Sequence, residues 1–226
     1  DFAYFMITTW MAGRQTSPVV AGPVGVKQFV DALLSPETGA YRKDIEARAQ
    51  YKQRQDNFQA LRADVREMDP GVIFEDDLVK ISACYVEHIP LEISPCFGLR
   101  LDSVDGKSVV FSGDTAPCDR LIELAQGADL LIHECTFPQS AIDFRSNAGI
   151  GTWAHTSPTD LGEIAIKSKV KSLVATHFGH FDSSRPVVRE LMTKHMPVEL
   201  MGPEMMDEMI ADIRKSWSGD LRMAHD

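Results

Sequence analysis

At 226 residues with 44% hydrophobic side chains, the chain is long enough to bury one large core or two small ones. Its formal net charge of −10 argues against a broad nucleic-acid-binding surface, which carries a basic excess. No apolar run reaches the roughly 18 residues of a membrane span, and Cys84, Cys96, Cys118 and Cys135 form no Cys-x-x-Cys pair, so they read as buried thiols of a cytoplasmic protein.

Asp1 to Trp10 is apolar with no cap before it, which predicts a helix already under way where the sequence begins. Pro18 to Ala21 reads as a strand, Gly22-Pro23-Val24-Gly25 as a tight turn, and Val26 to Leu34 as a helix with Val26, Phe29, Val30 and Leu33 on one side. Residues 41–68 hold seven Lys/Arg against five Asp/Glu. Within them Phe58, Leu61, Val65 and Met68 fall at helical spacing and predict an amphipathic helix. Residues 36–70 therefore read as a helical insertion in a single domain spanning 1–226. It is either a solvated helical pair packed on the sheet, or a cap over a site, or an oligomerisation arm.

After the turn at Asp69-Pro70-Gly71, Leu78 to His88 reads as a strand and Phe97 to Leu101 begins another. Asp105-Gly106 predicts a hairpin into Val109-Val110-Phe111. Cys118 to Gly127 is a short helix with Leu121, Ile122, Leu124 and Ala125 inward. Ser157-Pro158-Thr159-Asp160 is a helix start, with Ser as cap, Pro at the first position and an acid at the third; that helix runs to about Lys169. Arg185 to His195 predicts another helix. Pro203 to Trp217 predicts a last one, with Met205, Met206, Met209, Ile210 and Ile213 on a side that covers the core or pairs subunits in a homodimer.

Three apolar runs end abruptly in a residue able to bind a metal or move a proton. Val109 to Gly113 ends in Asp114, Leu130 to Ile132 in His133-Glu134, and Ser172 to Thr176 in His177. Runs of this kind are buried strands of an α/β sheet, whose reactive groups gather at the strands' carboxyl ends. Each residue alone has a bland reading: His88 is a structural strand end, Asp114 a helix cap, Glu134 a buried acid, His155 a residue entering the Ser157 cap. Together, two imidazoles and a carboxylate suit a divalent ion such as zinc.

Ser-Gly-Asp-Thr at 112–115, His-Glu-Cys-Thr at 133–136, Ala-His-Thr-Ser at 154–157 and Thr-His-Phe at 176–178 resemble successive motifs of the metallo-β-lactamase-fold hydrolases. The nearest likeness is to the ribonuclease Z and arylsulfatase-like branch, and Gly-Pro-Val-Gly at 22–25 matches a loop of those proteins. The resemblance implies a four-layer αββα sandwich of two mixed sheets with outer helices. It implies two divalent ions, zinc by preference with manganese or iron acceptable, where His88 binds one, His177 the other, and Asp114 bridges them. It also implies that Glu134 orients His155, which protonates the leaving oxygen. A general acid needs such a partner to fix its tautomer. His133 is then structural or a support to the site.

Two departures bear on function. The family's His-x-His-x-Asp-His signature does not occur in these 226 residues, and is expected immediately before Asp1 in the intact gene, so the domain reads as N-terminally incomplete. The insertion that grips tRNA in bacterial ribonuclease Z is also replaced by the tight hairpin between Gly98 and Gly113. The expected function is hydrolysis of a small phosphodiester, sulfate ester or related ester. The alternatives are tRNA 3′-end cleavage and a metal-free binding protein of the same fold.

Overall fold

The computed structural model describes residues 1–149, 154–178, 186–192, 194 and 204–224. The chain folds as two compact units, Asp1–Asp69 and Pro70–Asp226. No helix among the described residues is long and apolar enough to cross a membrane.

The first unit opens with helix α1 (Phe2–Met11), which buries Ala3, Met6, Ile7 and Trp10. Strand β1 (Val19–Gly22) leads into α2 (Val26–Leu34), α3 (Arg42–Arg48), α4 (Lys52–Gln55) and a single 3-10 turn at Phe58–Leu61. Strand β2 (Asp64–Glu67) then pairs in parallel with β1, Val19 opposite Asp64 and Gly22 opposite Glu67. The core joins Met6, Trp10, Val30, Leu34, Ile45 and Leu61. Two expectations fail in this unit. Residues 58–68 form no continuous helix: Arg62 turns extended at ψ 140°, and the chain enters the ladder with β1. Backbone pairing with a distant strand outweighs a helical spacing whose intrinsic preference is a few tenths of a kcal/mol per residue, about the size tertiary context overrides. Phe29 is 55% exposed, while Val30 and Leu34 are the buried residues of α2.

The second unit is built on a seven-stranded mixed sheet in simple chain order. Strands β3 (Gly71–Glu75), β4 (Val79–Val86), β5 (Cys96–Ser103) and β6 (Ser108–Phe111) run antiparallel to one another. Strands β7 (Leu130–Glu134), β8 (Ser172–Thr176) and β9 (Asp220–Met223) continue from β6 in parallel. Parallel neighbours need crossovers. Helix α5 (Asp119–Leu124) joins β6 to β7; α6 (Gln139–Asn147) and α7 (Pro158–Ser168) lie between β7 and β8; α8 (Pro186–Met192) and α9 (Glu204–Arg214) lie between β8 and β9. Val110, Leu131 and Leu173, none with any exposure, pack in one cluster with Leu121, Leu161, Ile164, Met209 and Ile213. The α/β class and large mixed sheet expected from the sequence are what is observed.

Local chemistry explains the ends of these elements. The β5–β6 hairpin turns at Gly106, φ 79°, the left-handed conformation that glycine adopts without steric cost. Helix α7 starts as predicted: Ser157 Oγ accepts from the Asp160 amide at 3.1 Å, and Lys169 closes the helix at φ 54°. Three elements had no strong local signal. They are α6, whose first residue follows Pro138, and the short strands β3 and β9.

Candidate active site

The carboxyl ends of β4, β6, β7 and β8 are stitched together by loop hydrogen bonds. The Ser112 amide donates to Ile132 O at 3.0 Å, and the Glu134 amide donates to Ser112 Oγ at 3.0 Å, joining the ends of β6 and β7. The Cys135 amide donates to Thr176 O at 2.8 Å, joining β7 to β8. Beyond β4, Ala116 N donates to Glu87 O at 2.7 Å and Glu87 N to Thr115 Oγ1 at 3.0 Å, so His88 is held next to the loop that bears Asp114. Gly113 makes that loop possible: its φ is 62°, and a Cβ there would stand 2.8 Å from Phe97 O. His177, the first residue after β8, also has a left-handed backbone, φ 63°. For a non-glycine residue this costs roughly 1–2 kcal/mol, and such backbone strain clusters at functional sites.

These ends deliver the expected residues to one place. Asp114 Oδ2 lies 3.5 Å from His177 Nε2 and 4.0 Å from His88 Nε2. The His155 ring lies beside both imidazoles, its centroid 5.1 Å from that of His88 and 5.5 Å from that of His177. His88 Nδ1 lies 3.0 Å from the Ala154 carbonyl. A carbonyl only accepts, so in the neutral ring Nδ1 carries the proton and Nε2 turns a lone pair towards Asp114. Two acceptors facing each other without a proton between them are unfavourable unless a cation comes between, and an imidazole whose other nitrogen donates to a carbonyl is the usual form of a metal-binding histidine. The donor set therefore fits a divalent ion. It is also partial: among the described residues no group of three or more His, Cys, Asp or Glu side chains is arranged to hold one.

Glu134 is 2% exposed and accepts four hydrogen bonds. Oε1 takes them from His155 Nδ1 at 2.9 Å, the Thr115 amide at 3.0 Å and the Thr156 amide at 3.3 Å. Oε2 takes one from Thr136 Oγ1 at 3.0 Å. The bond to Glu134 puts the proton of neutral His155 on Nδ1 and leaves Nε2 for whatever enters the site. Asp114, Glu134 and His177 also line a cavity of about 750 Å³ whose described walls include Phe111, Ile132, Phe178 and Met206 and carry no Lys or Arg.

His133 does not join this group. It alternates with Glu134 along β7 onto the side where Leu131 packs, and has no exposure. Its Nδ1 lies 2.7 Å from Glu134 O, and its Nε2 meets no hydrogen-bond partner among the described residues. Burial pushes its pKa down to about 4. Sequence reasoning missed Thr115, Thr136, Thr156 and the Ala154 carbonyl as parts of the site. Thr115, Ala154 and Thr156 adjoin residues that were named and act through main-chain groups, which leave no trace in side-chain identity; Thr136 acts through its hydroxyl, two residues beyond Glu134. The remainder of the histidine-dense turn, Gly179 to Asp182, lies outside the described residues.

Residues 34–178 match the family described as the β-lactamase superfamily domain. A ribonuclease Z from Mycobacterium avium is 32% identical over 188 residues, covering 79% of this chain; the chain spans 62% of that relative's length. The metallo-β-lactamase fold protein YhfI from Bacillus subtilis superposes with a TM-score of 0.60 at 19% identity, over 99% of this chain and 69% of that one. The short form of human tRNase Z gives 0.52 at 21% identity, over 78% and 66%. At such identities the two superpositions speak to the fold alone.

Proposed function

The chain belongs to the β-lactamase superfamily and has its metallo-β-lactamase fold, and from that premise we propose a metal-dependent hydrolase that cleaves a small phosphodiester, sulfate ester or related ester. The observation that carries the reading is the meeting of His88, Asp114 and His177 beside the His155–Glu134 pair. Two divalent ions, zinc or else manganese or iron, would be held in part by His88 and His177, with Asp114 shared between them. When bound, such ions supply Lewis acidity and a nucleophile usable at neutral pH.

The chain's own residues do the rest. Asp114 brings negative charge between two imidazoles and thereby defines where positive charge is stable. Glu134, anchored by two main-chain amides, keeps His155 Nδ1–H pointed at itself, so His155 meets the substrate with Nε2. In the imidazolium form that nitrogen donates its proton to the departing oxygen, the part of the reaction that matters most for a poor leaving group.

The substrate reading draws on the absence of cationic side chains from the described cavity wall, the tight β5–β6 hairpin, and the net charge of −10. A polynucleotide makes several phosphate contacts and needs Lys and Arg for them. The second reading is tRNA 3′-end cleavage, favoured by the name of the Mycobacterium avium relative.

The test is turnover by the full-length protein, loaded with zinc or manganese, of an aryl phosphodiester, an aryl sulfate and a precursor tRNA. We expect cleavage of the small ester, abolished by chelation. His155→Ala should slow substrates with poor leaving groups about 10²–10⁴-fold and activated aryl esters far less. Cleavage of the tRNA alone would establish the second reading. Failure to bind metal or turn over any of the three would leave a binding protein.

A further inference from the structure

We propose that Thr136 is a positioning residue for His155, acting through the carboxylate of Glu134. Three donors converge on Oε1 of that carboxylate, one of them His155 Nδ1, while among the described residues Oε2 has the Thr136 hydroxyl alone, at 3.0 Å. The terminal torsion of a glutamate is soft and roughly two-fold. Holding Oε2 therefore fixes the rotation that, together with the Thr115 and Thr156 amides on Oε1, keeps Oε1 aimed at the imidazole. Among the described residues Thr136 is the donor that Oε2 has: Glu134 is buried, so no bulk water competes for that oxygen, and Thr136 itself is 6% exposed.

Thr136 is suited to the task by its place in the chain. It stands two residues after Glu134, and the bond from the Cys135 amide to Thr176 O keeps the chain between them tied to β8. Its branched Cβ restricts the side-chain torsion that sets the hydroxyl direction. Thr156 reinforces the same geometry from the other side, its hydroxyl donating to the Thr115 carbonyl at 2.7 Å while its amide donates to Glu134. Without the Thr136 hydroxyl, a buried carboxylate oxygen lacks a partner and rotates to find one. That rotation breaks the alignment of Oε1 with Nδ1–H and frees His155 to exchange tautomers.

The kinetic consequence rests on the proton-donor reading of His155, but the geometric one does not, so the test has two arms. In the first, histidine ¹⁵N NMR of the isolated protein follows the ring nitrogens, with His155 assigned by its loss in His155→Gln. Wild type should show a protonated Nδ1 with a downfield N–H. Thr136→Ser should keep it, and Thr136→Val should lose it or shift the nitrogens to a tautomer mixture. His133, on the other side of β7, should be unchanged and so reports that the strand is intact. Should the Val variant not fold, Thr136→Ala takes its place with the same expectation. An unaltered His155 signal in either variant would overturn the proposal.

In the second arm, Thr136→Val should slow an ester with a poor leaving group about 10-fold, the low end of the roughly 10–100-fold lost when the hydrogen-bond partner of a metal-ligating side chain is removed. An activated ester should slow much less, and Thr136→Ser should restore the rate. Equal slowing of both esters would mean general damage and overturn the positioning role. A wild-type protein that turns over nothing removes the hydrolase reading while the NMR arm still decides the geometry.

Discussion

His133 and Glu134 are neighbours in sequence and part company in space, because successive residues of a strand face opposite sides of the sheet. Glu134 is drawn into a network of four donors; His133 is left with a buried Nε2 that has no hydrogen-bond partner among the described residues. The buried imidazole has a measurable consequence. Its pKa of about 4 in the folded chain lies below the roughly 6.5 of an exposed histidine, so between these values the unfolded chain binds a proton that the folded one does not. The contribution is fully present above about pH 6.5 and is lost as pH falls to about 4, a loss of about 3 kcal/mol. Urea unfolding of wild type and His133→Gln at pH 7.5 and 4.5 should show a steeper loss in wild type. Parallel losses would mean that His133 is not buried as described. A histidine on a strand is visible in sequence. Which side of the strand carries the site follows from what packs on each face.

Among elements, α7 and the stretch from 58 to 68 were both expected to be helical and had opposite outcomes. Helix α7 has a side-chain cap, a proline at its first position and a left-handed residue at its end, all interactions within a few residues of each other. Local chemistry decides such an element wherever it lies. Ser157→Ala should therefore cost about 1 kcal/mol of stability in chemical denaturation, and Ser157→Asp should largely preserve it. A cost near zero would mean that packing of Leu161, Ile164 and Ala165 alone sets the helix start. The 58–68 stripe had spacing without caps, and a ladder with Val19–Gly22, more than forty residues earlier, took its second half. No window of sequence around Val65 contains that partner.

At the scale of the whole molecule, the candidate site joins residues 88, 114, 134, 155 and 177, drawn from the ends of four strands and the entry of one helix. Metal is the readiest probe of whether they act together. Zinc or manganese should raise the melting temperature of the full-length protein, since a ligand that binds only the folded state stabilises it by mass action. Asp114→Ala, which removes the carboxylate between the imidazoles, should abolish most of that rise. An undiminished shift in the variant would place the ions elsewhere. By itself the sequence determined where strands stop and which reactive side chains stand at their ends, because apolar runs, glycine turns and helix caps act over a few residues. Only the tertiary structure decided that Thr136 holds the second oxygen of Glu134, that two main-chain amides hold the first, and that His133 faces away. Those facts depend on sheet register and on the face each strand buries, and both are set by contacts among parts of the chain far apart in sequence.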